Sequence, residues 1–416
     1  MKFVPMKFLR LKASPTGARI GLHGAAHATV DTGGAIHVDD WVGDECAWWV
    51  AASDRWHDPQ QAPSIRQRRI DGTPVIETKL AVPGGDVVHR AFVVADQDGR
   101  LVVQMSNESP QPVVVAVSTI GMSSTAAAGG TTPQGIAVPT GVRAFPLAHR
   151  SSVTFAWPLR RSRWRKPDSI NASLLPAYEQ VVHGWAQSCD RASRVTIAHE
   201  QLVAARCAVL LATAHEIDDL LHDDAALGVL AIGERVRMGD PAGEWVSQLA
   251  DAVRRIARKP RESAWSGRAL VMAARTLAAA DEARAASDVS GVWQQLVDDQ
   301  SLPSEVSGAT PGGALGAGVV YAAQAEDQFI RAARPNEAHV LPLGVPTAWR
   351  GVNGEAHGVI ASPHHRISLA LRWHGENVAL LWEVEGPPGL SLSAPFVDAN
   401  FATTQPQGEA LLQVVP

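Results

Sequence analysis

His199–Ile217 reads HEQLVAARCAVLLATAHEI. Its apolar residues recur at three and four, and Ala and Leu stand where Val and Thr stand earlier in the chain. That period is helical. The same pattern runs through YEQVVHGWAQSCDRA (178–192), DDAALGVLAIGERVRMG (223–239), GEWVSQLADAVRRIAR (243–258), GRALVMAARTLAAADE (267–282) and GALGAGVVYAAQAEDQFIRAA (313–333). The links between them, such as MGDPAGE (238–244) and RKPRESAWSG (258–267), are short and polar. Short links imply antiparallel helical hairpins. About six or seven helices are therefore expected between residues 175 and 337.

On either side the period falls to two. TPVIETKLAVPG (73–84), VVHRAFVVADQDGRLVVQMSNES (87–109) and PVVVAVSTI (112–120) are rich in Val and Ile and bounded by Gly, Pro, Asp and Asn. That is the signature of strands in a β-sandwich, with a hairpin turn at Asp98-Gly99. Beyond the helices, HRISLALRWHG and ENVALLWEVEG alternate about a turn at 374–377. The expected order is an N-terminal β-sandwich (1–160), a linker (161–174), an α/α-hairpin domain (175–337) and a small C-terminal β-sandwich (338–416). The basic run LRRSRWRKPDS (159–169) falls at the first boundary and reads as an exposed linker.

Composition narrows the function classes. The chain has 416 residues, 46% hydrophobic and 19% charged, with net charge −5. That is a globular protein with ample core, and its charge argues against coating nucleic acid or a membrane surface. Three distant cysteines, Cys46, Cys189 and Cys207, form no CxxC and suggest neither a disulfide scaffold nor structural zinc. No apolar run reaches the length of a bilayer span, and the first residues do not read as a signal peptide, so a cytoplasmic protein is expected. His364, His365 and His374 lie close in sequence, but adjacent strand residues diverge, and no metal is expected. No Gly-rich phosphate loop or GxSxG element occurs, GGALGAG (312–318) reads as helix packing, and no cofactor is expected.

Three passages carry a family resemblance. LALRWHGENVALLWEV (369–384) reads as a C-terminal sandwich. HVLPLGVPTAWRGVNGEAHGV (339–359) places Leu341, Pro342, Pro346, Trp349 and Gly351 in the order of a helix-to-sandwich connection. HGWAQSCDRASRVTIAHEQLVAARCAVLLA (183–212) reads as the entry to a first barrel helix. Together with the β-helical-β order, they resemble bacterial glycosidases built on an (α/α)-toroid. The resemblance implies a carbohydrate-active protein that hydrolyses or binds an oligosaccharide or glycoside in the cleft between the first sandwich and the helices. A full six-hairpin toroid is longer than residues 175–334 supply, and LLATAHEIDDLLHDDAALGVL (210–230) passes almost directly from one helix to the next. The barrel is expected to be partial or closed by a second copy. The alternative is a non-catalytic scaffold that keeps the architecture and forms a homo-oligomer through exposed apolar helix faces.

Inverting glycosidases place two carboxyls about 6.5–9.5 Å apart, one with a raised pKa. Glu216, Asp218, Asp219, Glu234, Asp240, Glu244, Glu262 and Glu305 are the acids in or near the helical links. Glu262 stands out because Trp265 follows it in PRESAWSG, an acid beside an aromatic. Glu234, inside an apolar helix, is either a buried acid or an ion-pair partner of Arg237 at i,i+3. Glu262 and Glu234 are the candidate catalytic pair. The stretch HVDDWVGDECAWWVAASDRWHDP (37–59) puts four tryptophans among acids. Strand alternation sends Trp48 and Trp49 to opposite faces, so one belongs to the core. Trp41, Trp56 and Asp58, with Trp265, are the candidate substrate contacts. The excess of 13 Trp over 2 Tyr and 8 Phe fits either sugar platforms or the bias of a GC-rich genome, and the Ala/Arg-rich stretches favour the bias.

Overall fold

The computed structural model describes residues 17–25, 27–38, 45–118, 122–129, 142–159, 171–303 and 313–414. Trp41, Asp39, Asp40, Glu305 and most of the expected linker lie outside them. The protein combines strands and helices, with antiparallel sheets toward both ends and, among the described residues, eight α-helices between. It divides into two compact units, Leu11–Ala186 and Gln187–Pro416.

The first unit holds three sheets. Strands 18–21, 27–30, 36–38 and 45–46 follow one another in the first. The second has six strands in the order 123–124, 152–158, 100–107, 85–94, 76–82, 66–69. The third runs 142–147, 113–118, 48–51, 56–57. Residues from all three meet in one apolar core. The long strands read as unbroken apolar runs because both their faces are buried. Leu101, Val103 and Met105 point into the common core, while Val102 joins Phe92 and Val94 in a second cluster covered by Leu175, Tyr178, Val181 and Val182. The Asp98-Gly99 turn joins strands 85–94 and 100–107, with Gly99 at φ 85°.

Trp48 and Trp49 separate as alternation requires. Trp48 is core, stacked on His89 at 4.9 Å and donating its indole N–H to the Gly33 carbonyl at 3.1 Å; Trp49 is half-buried. The backbone under the Trp48 ring must be glycine: a Cβ on Gly34, at φ 84°, would lie 3.0 Å from Trp48 Nε1.

Helices α1 (Tyr178–Asp190), α2 (His199–Leu211), α3 (Ala214–Asp223), α4 (Ala225–Met238), α5 (Val246–Arg258), α6 (Ser266–Ala279), α7 (Ala283–Asp298) and α8 (Ala314–Asp327) follow in order. Two were not separated by the periodic pattern. α3 occupies the polar passage between α2 and α4, started by a Thr213/Glu216 capping box and held by Ile217 and Leu221. α7 buries Ala286, Val289 and Trp293 at spacings of three and four. The pattern also overran at one end. α8 stops at Asp327, and Ile330–Arg334 is a strand, because Ile330 pairs with Val340 and both are fully buried.

Two sheets complete the second unit. Strands 194–195, 354–360, 366–374, 377–385 and 407–412 form one; 330–334, 337–340, 391–394 and 398–403 form the other, with 337–340 parallel to 391–394. Sequence reading divides this region at residue 338, yet Leu202, Ala205, Tyr321 and Ala322 from α2 and α8 share one core with Val340, Leu369, Leu380 and Leu392 from the sheets. The joint is built by Leu341, buried at φ 48°, and by Trp349, whose ring lies 4.8 Å from that of Phe329. α2 and α8 pack closely at Gly318, where a Cβ would come within 2.6 Å of the Ala205 carbonyl oxygen. Among the described residues, no helix is long and apolar enough to cross a membrane.

Candidate functional site

The helices of the second unit carry charge where their patterns are most apolar. Arg206 lies in the buried face of α2 with 1% of its surface exposed. It donates to Glu234 Oε2 of α4 at 2.9 Å and to Glu326 Oε1 of α8 at 2.9 Å. The remaining donors go to the carbonyls of Cys189 and Ser193 and to Ser193 Oγ. Those five bonds match the five N–H groups of a guanidinium.

Arg237 of α4 bonds Glu234 Oε1, Glu326 Oε1 and the Ala192 carbonyl. Arg268 of α6 takes Glu326 Oε2 at 2.5 Å and Asp327 Oδ1. Arg331, in the strand after α8, closes the chain on Asp327 Oδ2 at 3.1 Å. Four helices are thus cross-linked by charge-assisted hydrogen bonds. Burial alone would push the Glu326 carboxyl upward, but Arg237, Arg268 and Arg206 outweigh it and hold the group below the usual carboxylate range. Arg237 and Arg268 are correspondingly held charged by their acids against the cost of burial.

At one end of this network lies a cavity of about 180 Å³. Trp265, Trp293, Met272, Val271, Leu302 and Ile360 supply apolar walls, and Arg268, Asp327 and Arg331 supply a polar one. Trp265 is buried by the turn that starts α6, and Trp293 by the inward face of α7. Gly267, in the first turn of α6, also lines the cavity; a Cβ there would meet Leu302 at 3.2 Å and Trp293 Nε1 at 4.0 Å.

The residues singled out from sequence are distributed as follows. Trp265 lines the cavity. Glu262, three residues earlier, turns outward: its side chain is 67% exposed and lies 3.4 Å from Lys259. Glu234 is 3% exposed and engages both oxygens, including the i,i+3 pair with Arg237. Glu234 and Glu262 share no hydrogen-bond partner among the described residues, and neither lines the Trp265 cavity. Trp56 and Asp58 belong to the first unit. Trp56 is half-buried in the short strand paired with 48–51, and Asp58 accepts from the Gln60 backbone N–H and the Gln61 amide, both at 3.0 Å.

Other acids serve the backbone or a neighbouring arginine. Glu216 accepts from the Thr213 N–H, Asp224 caps α4, and Asp240 binds Arg235 at 2.5 Å. His365 is buried between Ser362 Oγ and the Pro387 carbonyl, each at 2.7 Å. Its Nε2 carries a proton to meet the carbonyl. Among the described residues, no three His, Cys, Asp or Glu side chains gather to hold a metal ion.

Sequence reasoning missed Arg206, Arg268, Trp293, Glu326, Asp327 and Arg331. The available signal was charge within an otherwise apolar helix, as in AARCAVLL and YAAQAEDQF. No family model matches the sequence, and no curated protein matches it.

Proposed function

We propose that the chain is a glycosidase-like carbohydrate-binding protein that holds one sugar ring in the Trp265–Trp293 cavity without hydrolysing it. On this reading the sheets toward the two ends are β-sandwiches, and the helices between are a shortened (α/α)-toroid. The observation that carries the proposal is the cavity's composition: two indoles on apolar walls beside an Asp327–arginine wall. A pyranose has an apolar C–H face for an indole and a rim of hydroxyls for planar charged groups. The volume is slightly above the roughly 150 Å³ of an apolar cavity that takes benzene, so a single six-membered ring is the fitting guest.

Binding is favoured over hydrolysis by the state of the acids. Among the described residues that line the cavity, Asp327 is the carboxylate, and both its oxygens already accept from arginines. Glycoside hydrolysis needs two working carboxyls, one of them protonated. The arginines around Glu326 hold its carboxyl below the usual carboxylate range.

The test is calorimetric titration of the full chain with neutral and acidic monosaccharides, alongside Ala333→Trp, which fills the cavity. Saturable binding to the parent, lost in the variant and without release of reducing ends from disaccharides, is expected. Binding that survives Ala333→Trp removes the cavity from the assignment; release of reducing ends overturns the binding-only reading.

A second reading, a scaffold protein that self-associates, is favoured by one observation. Leu381 and Leu411 sit diagonally on one face of adjacent strands at 37% and 56% exposure, and Phe396 is 65% exposed. Exposed apolar groups of this kind mark partner surfaces when they are contiguous. A monomer by sedimentation equilibrium at high concentration would remove that reading.

A further inference from the structure

The cavity's polar wall has an unequal charge count. The connected network contains four guanidiniums, Arg206, Arg237, Arg268 and Arg331, and three carboxylates, Glu234, Glu326 and Asp327. Among the described residues, one positive charge is unmatched. Three of the cations are deep: the Arg206, Arg237 and Arg268 side chains are 1%, 10% and 13% exposed. Arg331 is 31% exposed and lines the cavity.

Arg331 is also the member with the most capacity left. Its Nε and one terminal nitrogen both approach a single oxygen, Asp327 Oδ2. The other Asp327 oxygen is taken by Arg268. The remaining Arg331 N–H groups have no acceptor among the described residues. Arg268 is itself incompletely satisfied, with its Nε–H buried and unpaired.

Arg275 lies seven residues after Arg268, on the α6 face that also presents Val271 and Met272. It donates only to the carbonyls of Pro363 and His365, at 3.3 and 3.5 Å. Burial, with Arg237 and Arg366 nearby, brings its guanidinium down to about 10. A partly buried site with excess positive charge favours a ligand that restores the balance.

We infer that the cavity selects a six-membered ring bearing one carboxylate, which Arg331 receives while the ring lies between the indoles. A carboxylate accepts two parallel N–H bonds from a guanidinium, and the open Arg331 N–H groups supply them. The inference rests on the proposed cavity site and adds the charge of its ligand. An acidic sugar and an aromatic acid share this chemistry, and the experiment separates them.

Glucuronate, glucose and benzoate are titrated into the full chain by calorimetry, and the series is repeated with Arg331→Gln and Arg331→Lys. Arg331 is partly exposed, and Asp327 keeps Arg268 when it is replaced, so the fold is retained; a thermal melt checks this. Glucuronate is expected to bind about tenfold or more tighter than glucose. Arg331→Gln should bring the two within about twofold, and Arg331→Lys should keep part of the preference. Equal affinity for glucuronate and glucose overturns the charge inference and leaves the sugar site standing. Binding of benzoate but of neither sugar upholds the carboxylate selection and overturns the carbohydrate reading. If no probe binds, both are overturned.

Discussion

Replacing Glu326 with glutamine tests how the second unit is held together. Glu326 is fully buried. Its Oε1 accepts from Ser193 Oγ at 2.5 Å, Arg206 at 2.9 Å and Arg237 at 2.7 Å, and its Oε2 accepts from Arg268 at 2.5 Å. Glutamine keeps one carbonyl oxygen. Placing it at the Oε1 site preserves three acceptor contacts and turns the amide NH₂ toward Arg268, donor against donor. The opposite rotamer loses three contacts to keep one, so the first is adopted. Arg268 then keeps only Asp327, and the network's excess positive charge rises from one to two. Breaking a buried ion pair on one side costs about 3–5 kcal/mol. For a unit of this size that is a fall of about 6–20 °C in Tm.

The pH dependence supplies an independent check. The folded-state pKa of Glu326 is depressed. Its contribution is fully present above the unfolded value near about 4.3 and is lost as pH falls from there toward the folded value. Glutamine has no such loss. The stability difference between parent and Glu326→Gln should therefore be constant from neutral pH down to about 5 and shrink below it. Differential scanning calorimetry of both proteins across that range reads both effects. A loss under about 1 kcal/mol at neutral pH, with no convergence in acid, would show that the network contributes no more than an exposed ion pair.

Two further substitutions probe packing and burial. His89 is buried against Trp48, and desolvation lowers its pKa to about 3. It stays neutral when folded but binds a proton when unfolded below about 6.5. The first unit should therefore lose stability as pH falls from about 6.5 toward 3, at up to about 1.4 kcal/mol per pH unit. His89→Phe, which keeps a ring against Trp48, should flatten that slope in a calorimetric pH series. Gly318→Ala should cost about 1–3 kcal/mol by forcing α2 and α8 apart at the Ala205 carbonyl, since a backbone atom cannot rotate out of the way. Chemical denaturation followed by far-UV circular dichroism measures it; an unchanged midpoint would mean that the helices are not in tight contact there.

The order of strands, helices and strands was legible because periods of two and 3.6 survive in a single sequence. Local pairs were legible for the same reason. Glu234 and Arg237 stand one turn apart, Trp48 and Trp49 take opposite faces, and the glycines of GGALGAG include the close contact at Gly318. α3 was less legible because three aspartates dominate its ten residues, and only Ile217 and Leu221 are buried. Its capping box, Thr213 with Glu216, was the available sign. The strand at Ile330–Arg334 continues a helical apolar rhythm and was fixed only by pairing with Glu337–Val340.

The candidate site depended still more on tertiary structure. Glu262 and Trp265 are neighbours in sequence, but the turn before α6 sends one into solvent and the other into the cavity. Arg206 finds Glu326 across 120 positions, and Arg268 finds Asp327 across 59. Periodicity records which face of an element is buried, because burial acts on every residue of that face. It carries no record of which distant element supplies the opposing charge. The sequence alone therefore determined most of the elements and most of their inward faces, while the helix packing of the second unit decided that its buried charges would meet, with one cation in excess among the described residues, beside a cavity the size of a single ring.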